Sequence, residues 1–227
     1  VTAGAVARLG LASAAVAAAA LAAACSDGSP NTCFDSNGWS YGFYLAGDSG
    51  LVFHWPPARM PVRTYAEPTG TNPTDVAAGL QTWVNAFRCG EASFQVVGDS
   101  TQADIIVRRV DILPPQPTRA VSLGADSVGA CTGRTDGIFD STLTLTGPVR
   151  SYIAPLPGRD STALAGCFRM TTTHELGHAL GILAHSTDPG DIMYVTPRRA
   201  TLSVDDRYTI QTLYHTPATI APEPRTP

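Results

Sequence analysis

The sequence predicts an α+β fold, a mixed β-sheet with one helix ahead of its later strands and two helices after them. Three observations predict it. The chain has 227 residues, 44% hydrophobic and 15% charged, a globular composition with apolar residues enough for a real core. Its periodic segments run strand, helix, several strands, helix, loop, helix, the order of a sheet with helices set against it. Between two polar, proline-containing ends there is no internal repeat and no low-complexity block, so one domain is the simplest organisation.

Residues 1–24 read as an export signal: Arg8, then an uncharged Leu/Ala/Val run from Leu9 to Ala24. That run is shorter than the roughly 20 apolar residues that span a bilayer, which favours a cleaved signal over a permanent anchor. The junction Leu21-Ala22-Ala23-Ala24-Cys25 resembles a bacterial lipoprotein signal, with Cys25 lipidated and the protein held at a membrane by its acyl chains. Ordinary cleavage after Ala24, leaving a secreted protein, is the alternative. All 15 cations are Arg, a hint of a GC-rich bacterial source. The expected location is therefore the bacterial envelope, at the outer membrane or cell surface. With Cys25 set aside, Cys33, Cys89, Cys131 and Cys167 make an even set for two disulfides in an oxidising compartment, their pairing open. Residues 25–32 read as a linker, 33–215 as the folded domain and 216–227 as a proline-rich, disordered tail.

Within the domain, 60–67 reads as a strand. Asn72 is placed to cap the helix that follows, with Pro73 at its first position and Asp75 at its positive end. Val76, Leu80, Trp83, Val84 and Phe87 form one apolar stripe that runs until Gly90. The β-branched runs 93–97, 104–110 and 137–145 read as strands. Ser203 with Asp206 resembles a capping box for a closing helix that presents Ile210, Leu213 and Tyr214. The net charge of −4, with cations scattered singly or in pairs, leaves no footprint for nucleic acid. A monomer is expected.

The chemistry concentrates in TTTHELGHALGILAHSTDPGDIMY, residues 171–194. His174 and His178 are four apart, so on a helix their imidazoles sit one turn apart on one face and converge on a single ion. Gly181 is placed to stop that helix in a left-handed turn, after which the chain can fold back and present His185 as a third ligand. Asp188 or Asp191 is the alternative third ligand. Three neutral imidazoles with one open position suit catalytic Zn²⁺, which brings bound water to a pKa of about 7. Glu175, beside the first histidine, would take the proton of that water as it attacks a carbonyl and pass it to the leaving amine. His54 and His215 stand outside any ligand cluster.

HELGH, the following Gly181, the His185-Ser186 pair and Asp191-Ile192-Met193-Tyr194 together resemble the metzincin zinc peptidases, in particular the matrixin-like branch. The likeness is strongest over residues 171–214. It departs from the family spacing by one residue, since Ala184 stands at the usual third-ligand position and His185 follows it. The resemblance implies a twisted mixed sheet, an active-site helix, a Met-turn at Met193 beneath the metal, and a C-terminal helix. It implies an exported zinc endopeptidase acting on protein or peptide, with a non-catalytic zinc-binding envelope lipoprotein as the alternative. A specificity pocket is implied at Tyr194, Val195, Thr196, Pro197 and Arg198, with Arg198 or Arg199 reaching its floor. An edge strand near Ser127–Thr132 would hold the extended substrate by main-chain hydrogen bonds. Ca²⁺ is common in the family, with Asp126, Asp136 and Asp140 as oxygen donors here. The short stretch between Cys25 and the first strand has no room for an ordinary matrixin prodomain. Arg88-Cys89-Gly90, although similar to a prodomain cysteine motif, reads as a helix end with Cys89 in a disulfide.

Overall fold

The computed structural model describes residues 33, 38, 40–44, 50–118, 120–128, 130–158 and 161–225. The export signal, Cys25 and the linker lie outside them. Among the described residues no helix is long and apolar enough to cross a membrane.

Strand β1 (Val62–Ala66) leads through helix α1 (Asn72–Val84) to β2 (Phe94–Val97), and then come β3 (Ile105–Arg109), β4 (Ala120–Val128), β5 (Cys131–Ile138), β6 (Thr144–Leu145) and β7 (Val149–Pro155). Helices α2 (Ser161–Ala179) and α3 (Val204–Tyr214) and the short β8 (Ala221–Pro222) complete the chain. Six strands form one sheet in the order β2-β1-β3-β7-β5-β4, and β6 pairs with β8 separately. The pairings from β2 to β7 are parallel, and those of β7 with β5 and β5 with β4 are antiparallel. The connections dictate this: α1 carries the chain over the sheet from β1 to β2, whereas β4 and β5 are joined by a tight hairpin.

Alternation on β1 and β7 turns Val62, Thr64 and Ala66, and Val149, Ser151 and Ile153, to the buried face. Against that face α1 and α2 pack closely. Gly79 is the contact point, since a Cβ there would come within 2.8 Å of Leu176. Trp83 of α1, fully buried, donates its indole N–H to the Thr173 carbonyl of α2 at 2.8 Å.

Several local expectations need correction. Thr71 rather than Asn72 precedes the first turn of α1, its hydroxyl bonded to Asp75 at 2.7 Å, while the Asn72 amide turns inward to the Glu67 carbonyl at 2.8 Å. The helix stops at Val84, because Ala86 and Phe87 bond three residues back instead of four. The run 137–145 is not one strand. Asp140 breaks it, accepting from the Thr142 and Thr144 amides at 2.8 and 3.0 Å in a turn where Leu143 has φ +60°. The strands β4 and β7, and β5 before Gly137, were not read in the sequence. The outermost strand beside β5 is β4, so Ser127–Thr132 straddles the β4–β5 hairpin, and Cys131 and Thr132 sit inside the sheet, paired on both sides.

The proline-rich end does not behave as a solvated tail through Arg225. Ile220 is buried, β8 pairs with β6, and Arg225 reaches the buried Asp104 carboxylate at 2.6 Å, which Arg59 and Arg63 also face. Proline suits such a segment because an extended edge strand needs only alternate N–H groups. The open disulfide pairing resolves as Cys33–Cys89 and Cys131–Cys167, closing loops of 56 and 36 residues. Each contributes about 2–4 kcal/mol by restricting the unfolded chain. The second ties the start of β5 to α2, the helix that carries HELGH.

Candidate metal centre

Helix α2 places His174 and His178 on one face, both fully buried. It ends as the glycine predicts: the Gly181 amide bonds the His178 carbonyl and the Ile182 amide bonds the Gly177 carbonyl, each at 3.0 Å, with Gly181 at φ +115°. A side chain at Gly181 would also collide with the Phe53 carbonyl. The chain then turns back and brings His185 beside the other two.

The three imidazoles converge through Nε2, with 3.1 Å between His178 and His174 and 3.2 Å between His178 and His185. All their ligand atoms lie within 4.8 Å, and no other such group of His, Cys, Asp or Glu occurs among the described residues. The Nδ1 atoms of His174 and His178 lie 2.6 Å from the carbonyls of Ile192 and Ile182. A carbonyl only accepts, so Nδ1 carries the proton and donates, and Nε2 presents a bare lone pair. Lone pairs crowded together repel unless a cation lies between them. Tetrahedral zinc with Zn–N bonds near 2.05 Å sets its nitrogens about 3.3 Å apart. The two spacings from His178 fit that ion, and the donor set together with the family likeness points to a zinc-binding site.

Glu175, fully buried, turns its side chain onto β5. Thr135 Oγ1 lies 2.6 Å from Glu175 Oε2, and a Cβ at Gly133 would overlap the same carboxyl group. The sequence reading missed both residues; Thr135 is an ordinary strand residue until its partner is known. Met193 is fully buried and packs over Gly177 and Trp83 beneath the helix, a space that exists because Gly177 lacks a side chain.

Asp188 and Asp191 stay out of the histidine cluster. Asp191 takes a short hydrogen bond from the Ser186 hydroxyl, Asp188 caps the Gly190 amide at 2.7 Å, and the Ser186 amide bonds the Met193 carbonyl at 2.8 Å. They brace the loop that carries His185 and Met193. The second brace is Asp206. It closes the capping box with Ser203 and also accepts from the Ile192 amide at 2.9 Å and the Tyr41 hydroxyl at 2.6 Å. Burial first, and then the Asp206 charge, pushes the Tyr41 phenol well above its ordinary pKa, so it remains a donor. Replacing Asp206 by Ala strands these buried donors. The expected loss is about 3 kcal/mol in urea unfolding; a loss under about 1 kcal/mol would show that the turn does not depend on it.

Of the segment read as a pocket, Tyr194 is half-buried, Pro197 is buried, and Val195, Thr196 and Arg198 are exposed, as is Arg199. Both arginines are exposed. Of the residues read as calcium donors, Asp136 bonds Arg134 at 3.0 Å and Asp140 holds its turn, while the Asp126 side chain lies outside the described residues. His54 contacts the Thr216 carbonyl at 2.9 Å and His215 faces Glu91 at 3.3 Å, both away from the cluster.

Residues 158–215 match the family described as Matrixin. Matrilysin of Homo sapiens is 45% identical over 60 residues, which is 24% of this chain and 22% of that protein. Macrophage metalloelastase of Rattus norvegicus is 47% identical over 53 residues, 21% of this chain and 11% of that protein. The chain thus spans a small part of the length of these relatives.

Proposed function

We propose that this chain, a matrixin-like metzincin, is a zinc endopeptidase that hydrolyses peptide bonds in protein or peptide substrates. The observation that carries it is the convergence of three imidazole Nε2 atoms, those of His174 and His178 held bare by their Nδ1 hydrogen bonds, with a carboxylate, Glu175, next to the first of them in the chain. Zinc bound there supplies Lewis-acid polarisation of the scissile carbonyl and makes water more acidic. The protein's own part is the proton. Glu175 accepts it from the attacking water and returns it to the amine nitrogen as the C–N bond breaks. His174 and His178 are kept in the ligating tautomer by the Ile192 and Ile182 carbonyls, so neither competes for that proton. No nucleophilic side chain is required.

The reading extends to substrate binding and location. The outer edge of β4, the last strand of the sheet among the described residues, offers main-chain groups to an extended peptide, and Tyr194–Arg198, with Val195 exposed, is the specificity segment. The apolar run before Cys25 and the paired cysteines support an exported bacterial protein, held at the envelope by a lipid on Cys25 or secreted after cleavage.

The test is metal content and cleavage of an unfolded protein by the chain purified with its disulfides formed. One zinc per chain is expected, with cleavage abolished by a chelator and restored by added zinc. Stoichiometric zinc without cleavage would favour the non-catalytic zinc-binding protein, and absence of zinc would overturn the centre itself.

A further inference from the structure

We propose that Thr135 is the positioning residue that sets the orientation of the Glu175 carboxylate, with the Ser151 hydroxyl behind it and Gly133 providing the space for the carboxylate. This rests on the peptidase reading above, since it assigns to Glu175 the work of the base.

The hydrogen-bond arithmetic carries the proposal. Thr135 Oγ1 has three neighbours: Glu175 Oε2 at 2.6 Å, the Glu175 carbonyl at 3.1 Å and Ser151 Oγ at 2.8 Å. It has one proton. An ionised carboxylate and a carbonyl can only accept, so the proton goes toward Glu175, and the shorter, charge-assisted bond to Oε2 takes the larger share. The Ser151 hydroxyl must then donate to Thr135. The two hydroxyls are aligned head to tail toward the carboxylate, each polarising the next. Reversing the order would leave the Thr135 oxygen facing two acceptors.

Their place in the sheet reinforces this. Thr135 and Ser151 are directly opposite one another on β5 and β7, and both are fully buried. They stand on a buried face beside Val149, Ile153 and Ile105. A hydroxyl pair there is worth its desolvation only with a polar partner, and the partner is Glu175. Gly133 lies two residues before Thr135 on the same face. A Cβ there would stand 2.7 Å from Glu175 Cγ and Cδ, so the carboxyl group lies over bare backbone with Thr135 at its flank. The Cys131–Cys167 bridge, at the head of the same strand, ties β5 to the helix that carries Glu175. One strand therefore holds the space, the hydrogen bond and the tether.

The test uses the zinc-loaded protein and the variants Thr135→Val, Thr135→Ser and Ser151→Ala. Valine keeps the shape and removes the donor; serine keeps the donor and removes the methyl. Thr135→Val is expected to lower kcat by about 10- to 100-fold, the effect of a misplaced reacting group, with KM within about twofold and zinc unchanged. Thr135→Ser should keep kcat within about threefold, and Ser151→Ala should lower it a few-fold without adding to Thr135→Val. Wild-type kcat in Thr135→Val, or an equal fall in Thr135→Ser, would overturn the proposal by making the residue dispensable or merely a packing group. If Thr135→Val fails to fold, Ser151→Ala with a kcat equal to wild type overturns it instead. A second readout does not depend on turnover. In crystals of the zinc form, Thr135→Val, or Ser151→Ala where valine does not fold, should move the Glu175 carboxylate off Gly133; an unmoved carboxylate counts against the proposal. Inactive wild-type protein would refute the peptidase reading, and the crystals would still decide whether Thr135 orients Glu175.

Discussion

Glu175→Gln binds zinc as the wild type does and loses peptide cleavage by about 10²- to 10⁴-fold, the usual contribution of a positioned acid–base group. The amide has nearly the carboxylate's shape, and its oxygen can still accept from Thr135 at the 2.6 Å seen for Glu175 Oε2. Packing over Gly133 is retained too, so neither stability nor the histidine cluster should change much. The missing element is a group that can take a proton from water and release it to an amine. Parallel measurement of bound zinc and of kcat/KM separates the two effects. Cleavage within a few-fold of wild type would mean that the proton goes elsewhere and that the residue beside His174 is structural.

His185→Ala weakens zinc binding by about 10²- to 10³-fold, the share of one ligand among the roughly 10–16 kcal/mol of a four-ligand zinc site. The shifted spacing after Gly181 makes this the decisive variant. His185 Nε2 stands 3.2 Å from its His178 counterpart, whereas Asp188 and Asp191 are engaged with Gly190 and Ser186. Asp188→Ala should therefore leave zinc affinity close to wild type. Asp191→Ala should lower it by less than about tenfold, through loosening of the loop that carries His185. Competition titration with a chelating dye measures all three. Full affinity in His185→Ala together with a large loss in Asp191→Ala would transfer the third ligand to the aspartate.

Features governed by neighbours along the chain were legible beforehand. The shared face of His174 and His178 follows from helical spacing, the stop at Gly181 from a φ that only glycine adopts cheaply, and the start of α3 from the Ser203–Asp206 box. These contacts span a few residues, so residue type and spacing suffice. Where local signals were weak the reading failed, as at β4 and β7, whose strands hold a glycine, serines and an arginine among few β-branched residues. It also failed where a side chain overrode propensity, as Asp140 did within 137–145.

The amino-acid sequence alone determined that this chain has a helix carrying HELGH, a third histidine past a glycine stop, and a methionine turn before a capped final helix. Folding in three dimensions chose the rest: the cysteine pairs, the proline-rich end against β6, the second duty of Asp206, and the seat of Glu175. The reason is distance along the chain. Thr135 and Glu175 are 40 residues apart and Tyr41 and Asp206 are 165 apart. Each residue's own neighbours are compatible with many partners, and one is selected only when sheet register and helix packing bring two buried polar groups together with water excluded.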